Sequence, residues 1–156
     1  MAVQVAIVGA GLTGLSIARA LQANGVSYSL IEARDRLGGR ILTEHLGAAG
    51  FDLGPSWFWP GQPRMAALVE SLGLEVFEQF AEGALLYETE QGEVVRDRGF
   101  SSMQGSLRVC GGMAALVAGI AEELPEEVLH VGRPVVSVSQ SGLVGLADGH
   151  VISADV

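Results

Sequence analysis

The residues best suited to chemistry stand at the start of the chain. Gly9-Ala10-Gly11-Leu12-Thr13-Gly14 has the G-x-G-x-x-G spacing, and an acidic residue, Glu32, lies eighteen positions beyond the last of these glycines. This arrangement suits a dinucleotide. Gly9 permits a tight turn, Gly11 lets the backbone approach a pyrophosphate, and Gly14 lets a helix pack closely on a strand. The free N–H groups of a helix start, carrying roughly half a positive charge, then face the phosphates. Glu32 is placed to accept hydrogen bonds from the adenosine ribose, which disfavours a 2′-phosphate. Glycines also mark ordinary turns, so the motif alone is weak. The acid that follows it is what separates a dinucleotide site from a ligand-free strand–helix–strand unit.

A second constellation follows directly: Glu32-Ala33-Arg34-Asp35-Arg36-Leu37-Gly38-Gly39-Arg40. Arg34, Arg36 and Arg40 place three of the nine basic residues within seven positions. A glycine pair beside an arginine suits a second backbone approach to the same pyrophosphate, with Arg40 neutralising it. The alternative is a solvated charged loop. The net charge of −9 does not oppose an anionic ligand, because exposed charges are screened over about 8 Å at physiological salt. Local arginines and helix N–H groups therefore outweigh distant carboxylates.

These residues need a scaffold, and the hydrophobic pattern supplies one. Val3 to Val8 reads as a short buried strand, Leu12 to Ala23 as a helix stopped by Gly25, and Ser27 to Ile31 as a second buried strand. Such a unit carries a parallel strand pair with a right-handed crossover. Gly47 to Pro63, rich in Gly, Pro and aromatics, reads as loop. Met65, Leu68, Val69 and Leu72 mark one face of a helix that Gly73 stops. Ala84 to Glu88 and Glu93 to Arg96 flank Glu90-Gln91-Gly92 as a hairpin. Gly111-Gly112 precedes a helix from Met113 to Leu124, and Pro134 to Val138, Leu143 to Ala147 and Val151 to Ile152 form a β-meander.

Composition narrows the function classes. The chain has 156 residues and 49% apolar content, enough for one domain with a sizeable core. Its 22 glycines, about twice the usual share, point to tight turns and close backbone approaches. All nine basic residues are arginine, so no lysine chemistry, P-loop or Schiff base resides here. The acidic balance disfavours nucleic acid and anionic membrane as partners. One cysteine, Cys110, excludes an internal disulfide and a cysteine-built metal site. His45, His130 and His150 are scattered without partners at ligand spacing, so no metal site is expected. The start has no positive n-region and no apolar run is long enough to span a membrane, so a cytoplasmic location is expected.

The run from Ala6 to Thr43 resembles the N-terminal fingerprint of the flavin-containing amine oxidases, the monoamine oxidase and polyamine oxidase group. The R-x-G-G-R element, Arg36 to Arg40, is what separates that group from nicotinamide dehydrogenases. The resemblance continues through Phe51-Asp52-Leu53-Gly54-Pro55-Ser56-Trp57, at Gly111-Gly112-Met113 and at Arg133-Pro134-Val135-Val136-Ser137-Val138. It implies FAD as cofactor and an α/β fold, a Rossmann-like FAD-binding domain with an inserted hairpin and helix segment and a β-meander. The implied cofactor-binding residues are Gly9, Gly11, Thr13, Gly14, Glu32, Ala33, Arg34, Gly39 and Arg40. Gly54, Pro55, Ser56 and Trp57 are implied to pass the flavin ring, and Val135 to clasp the adenine through its backbone.

On this resemblance residues 1–50 form the dinucleotide-binding unit, 51–105 the start of a substrate-side region, and 106–156 the return to the FAD-binding domain. The family's aromatic cage and flavin-proximal lysine belong to a later part of the family's sequence, and Cys110 does not match the cysteine that some members bond to flavin. Few catalytic side chains therefore need appear within these residues, and none is named. The apolar final run, Val151 to Val156, leads us to expect a piece of a longer protein, inactive by itself, whose partner is a missing C-terminal half or a second chain. The implied reaction is hydride transfer from an amine-like small-molecule substrate, with oxygen as acceptor. Two alternatives stay open: a nicotinamide-binding dehydrogenase domain, and a non-catalytic FAD-binding module that needs a partner chain.

Overall fold

The computed structural model describes residues 2–47, 49–96 and 103–156. The Met1 start, position 48 of the expected loop and positions 97–102 of the middle segment lie outside the described residues. The chain divides into two compact units, Met1–Pro55 with Gly111–Val156, and Ser56–Cys110. The divisions fall at 55/56 and 110/111 rather than at 50/51 and 105/106, because residues 51–52 pair within the first unit and 107–109 within the second.

In the first unit the expected strand from Val3 to Val8 is two strands, β1 (Ala2–Val3) and β2 (Val5–Val8). Gln4 is the break. Its carbonyl accepts the N–H groups of Asp155 and Val156, and its side-chain oxygen accepts that of Ser27. The chain thereby leaves one sheet and enters another. Helix α1 (Leu12–Ala23) forms over the expected residues and buries Gly14, Leu15 and Ala18. Strand β3 (Tyr28–Ile31) runs parallel to β2 and is buried along its whole length.

The stretch read as loop from Gly47 to Pro63 contains a strand, β5 (Ala49–Asp52), which pairs antiparallel with β4 (Thr43–Leu46) just before it as a hairpin. Its strands are four residues long and largely exposed, so they carry little of the alternation by which strands are read.

The second unit holds helix α2 (Pro63–Ser71), strand β6 (Val76–Glu78), the hairpin of β7 (Leu86–Glu88) with β8 (Val94–Arg96), and β9 (Leu107–Val109) paired antiparallel to β6. The α2 helix and the hairpin were legible in the sequence. Strands β6 and β9, three residues each, were not.

The chain re-enters the first unit through helix α3 (Ala114–Glu122), which buries Leu116, Val117 and Ile120. Strand β10 (Leu129–His130) then adds parallel to β3 and completes a three-stranded sheet in the order β10-β3-β2. The meander forms as expected, from β11 (Val135–Val138), β12 (Leu143–Leu146) and β13 (Val151–Ala154). Strand β1 extends it as a parallel fourth strand. Ile31, Val144, Leu146 and Ile152 join in one buried cluster, with Val3, Ala6 and Val135 against it. The meander thus packs on the parallel sheet at β3. Helix α1 contacts β2 and β3, and Arg19 on α1 pairs with Glu123 beyond α3 at 2.6 Å. The result is an α/β Rossmann-like architecture that presents the ends of β2 and β3 to the glycine loops.

Candidate functional site

The two glycine-rich loops meet in space. The Gly38 N–H donates to the Ala10 carbonyl at 2.8 Å, and Gly11 and Gly38 form an isolated parallel bridge. A Cβ on Gly39 would stand 3.1 Å from the Gly11 Cα, so only bare backbone lets the loops approach this closely. Gly14 has the role expected of it. A Cβ there would overlap the Gly9 carbonyl oxygen and press on Ile7, so helix α1 reaches the end of β2 only without one. Gly9 turns the chain at φ 101°.

Around this junction lies a cavity of about 690 Å³, within the roughly 300–1,000 Å³ of small-molecule and cofactor pockets. Of the residues expected at the cofactor, Gly9, Gly11, Thr13, Gly14, Arg34, Gly39, Arg40 and Pro55 line it. Ile7, Val8, Leu12, Ile17, Gly38 and Ile41 line it too and were not expected. Val8 and Ile17 are large apolar residues left exposed, at 56% and 43%. Their exposure becomes visible only once the fold is known.

The arginines divide their work. Arg36 is spent on the loop itself: its guanidinium donates to the carbonyls of Leu37, Ile41 and Gly39 at 3.1, 3.2 and 3.0 Å. This planar fork pins the R-x-G-G-R turn. Arg34 reaches the Gly39 carbonyl at 3.4 Å. Arg40 is exposed and makes no hydrogen bond or ion pair among the described residues, which leaves its charge at the cavity wall for an anion.

Glu32 is buried, and both its oxygens are engaged. Oε2 accepts the Ala10 N–H and Oε1 the Arg34 N–H, each at 2.9 Å. Burial pushes this carboxyl up, but the Arg34, Ala10 and Ala33 N–H donors and the Arg34 charge outweigh it and hold it below its ordinary 4.5. The carboxylate therefore ties the first glycine loop to the end of β3, a role the sequence reading did not include. Each oxygen keeps a second lone pair.

The remaining expected residues are not on the cavity wall. Ala33 is exposed beside Glu32. Val135 opens β11, and the loop before it is bonded to the same edge: the Gly132 N–H donates to Arg34 O and the Arg133 N–H to Glu32 O. Gly54 packs against the Arg40 carbonyl so closely that a Cβ would overlap it. Ser56 and Trp57 belong to the second unit, where Ser56 is buried and the Trp57 indole donates to Gln79 at 2.9 Å. Cys110 is exposed, and among the described residues no cluster of His, Cys, Asp and Glu could hold a metal ion. No described helix is long and apolar enough to cross a membrane.

Comparisons with known proteins bear on the family and the fold. The model of the flavin containing amine oxidoreductases matches residues 12–99 and 80–156. Putrescine oxidase of Kocuria rosea is 41% identical over 88 residues, which is 56% of this chain and 18% of that protein. An L-amino acid dehydrogenase of Synechocystis sp. is 40% identical over 90 residues, 56% of this chain and 19% of that one. The structure of wild-type putrescine oxidase bound to putrescine superposes with a TM-score of 0.84 at 23% identity, over 99% of this chain and 57% of that one. The matches thus span about a fifth of the sequence relatives and just over half of the solved chain.

The chain belongs to the flavin containing amine oxidoreductase family. Its cofactor is FAD, and the residues present fit it. Two glycine loops approach without side chains, and the start of α1 and the exposed Arg40 line a cofactor-sized cavity beside them. The nicotinamide alternative gives way to this family membership.

Proposed function

We propose that this chain forms the FAD-binding portion of an enzyme that oxidises amines. The observation that carries the reading is the meeting of the two glycine loops at one cavity, with Arg40 at its wall and Glu32 anchoring the first of the loops through the Ala10 N–H. In this reading the N–H groups opening α1 and the Arg40 guanidinium hold the pyrophosphate. Glu32, with Ala33 and Arg34 beside it, holds the adenosine ribose through the free lone pairs of its carboxylate. The Val135 backbone meets the adenine, and Gly54 to Trp57 serve the flavin end. Bound FAD supplies the hydride acceptor for the C–H bond on the carbon bearing nitrogen. These residues bind and orient the cofactor, and none is assigned a catalytic role.

Oxygen is the proposed electron acceptor, with release of peroxide, in line with the relatives named as oxidases. A second reading, an amino acid as substrate and an acceptor other than oxygen, is favoured by the name of the Synechocystis relative. Peroxide release against dye reduction, with putrescine and an L-amino acid as substrates, separates the two. The test of the binding site is titration of the purified chain with FAD and with NAD, followed by visible absorbance and flavin fluorescence. Tight binding of FAD that Gly14→Ala abolishes is expected. Binding of NAD with no uptake of FAD would overturn the proposal.

A further inference from the structure

The Gly111-Gly112-Met113 motif has no part in the cavity wall, yet it seats the base of the β4–β5 hairpin. Thr43 and Asp52 face each other in the hairpin register. The Thr43 hydroxyl donates to Asp52 Oδ1 at 2.6 Å, and the same oxygen accepts the Met113 N–H at 2.9 Å. Thr43 Oγ1 in turn accepts the Ala114 N–H at 3.1 Å. These two N–H groups open helix α3, where no intrahelical acceptor exists. A carboxylate at that end also suits the helix dipole. At Gly112, φ is +82° and a Cβ would stand 2.6–2.8 Å from Thr43 and Asp52 atoms. The glycine leaves room for this pair and no more.

Both strands of the hairpin base continue into the cavity wall. Thr43 follows Arg40-Ile41-Leu42, and Asp52 precedes Leu53-Gly54-Pro55. The Leu53 N–H donates to the Leu42 carbonyl at 2.8 Å, and Gly54 lies on the Arg40 carbonyl. We propose that Thr43 and Asp52 are positioning residues: anchored on the first turn of α3, they hold the Arg40 backbone where its guanidinium meets the FAD pyrophosphate. This inference rests on the FAD-binding reading above.

The test is FAD titration of the full chain carrying Thr43→Val, which keeps the shape of the side chain and removes the hydroxyl. Binding is expected to weaken about two- to fivefold, no more than loss of the Arg40 side chain itself, and Thr43→Ser to restore it. Loss of stability alone would add to any other defect, whereas positioning through Arg40 makes the two substitutions non-additive. In an Arg40→Ala background Thr43→Val is therefore expected to cost less than half its effect. Thr43→Ala, which opens space beside the helix, carries the same expectations and serves if the valine variant does not fold. Wild-type FAD affinity in the folded variant, or full additivity with Arg40→Ala, would overturn the proposal while leaving the binding site intact. Unchanged affinity in Gly14→Ala would instead overturn the site itself, and this inference with it.

Discussion

Replacing Glu32 by alanine tests the proposed binding site, and its effect divides into two measurable parts. The substitution leaves the Ala10 and Arg34 N–H groups without the acceptors they hold at 2.9 Å. Ala10 is fully buried, so its unpaired donor costs about 1–3 kcal/mol. The Arg34 N–H is nearer to solvent and costs about 1 kcal/mol. The apo protein should lose about 2–4 kcal/mol, which for a chain of this length lowers Tm by roughly 5–15 °C. Glu32→Gln keeps one acceptor and should lose about half as much. FAD binding should weaken by a further 1–3 kcal/mol or so, a factor of roughly 5 to 150 in Kd. Thermal melts without FAD read the first part, and fluorescence titration below the melting transition reads the second. An unchanged apo Tm would refute the anchoring role. An unchanged Kd would refute the ribose assignment.

The pH dependence of Glu32 follows the same hydrogen bonds. Its folded pKa is depressed below 4.5, so its contribution to stability is complete above that value and is lost as pH falls through the folded pKa. Glu32→Gln should flatten the acid limb of a plot of Tm against pH. Arg40→Ala should raise the Kd for FAD about fivefold at low salt and less at high salt, because the side chain is exposed and screened. Isothermal titration at two ionic strengths reads this. Gly14→Ala forces α1 away from the Gly9 carbonyl, should cost about 1–3 kcal/mol of stability, and should abolish FAD uptake, checked by absorbance after gel filtration. His130 has a buried Nε2 with no partner among the described residues, and burial, with the Arg133 charge, holds its pKa below 6.5. Stability should therefore be complete above about pH 6.5 and decline as acid forces a proton onto the ring, a decline that His130→Phe should remove in denaturant titrations.

Much of the first unit was legible because its signals are local. Helix α1 announces itself through apolar spacing between two glycine signals, and the meander through turns at Ser141-Gly142 and Asp148-Gly149. The β4–β5 hairpin escaped notice because four-residue exposed strands carry almost no pattern. Strand β10, two residues long, is a strand only because β3 lies beside it.

The candidate site shows the same division. The types and spacing of Gly9, Gly11, Gly14, Glu32 and the Arg36–Arg40 turn point to a dinucleotide, since a pyrophosphate needs bare backbone and local positive charge in sequence order. No local pattern could assign Arg36 to its own loop and leave Arg40 free, because both are arginines beside the same glycine pair. Nor could spacing show that Glu32 anchors the Ala10 N–H, or that Thr43 and Asp52 meet Met113 and Ala114 across sixty or more residues. Those partners are fixed by which backbone groups the folded chain buries and must satisfy. The sequence by itself determined where bare backbone and local positive charge are concentrated, and hence the loops proposed to receive a dinucleotide, through short-range geometry written into residue type. The tertiary structure decided which side chains line the cavity and which hold the protein together, because hydrogen-bonding groups are allotted only when distant segments pack.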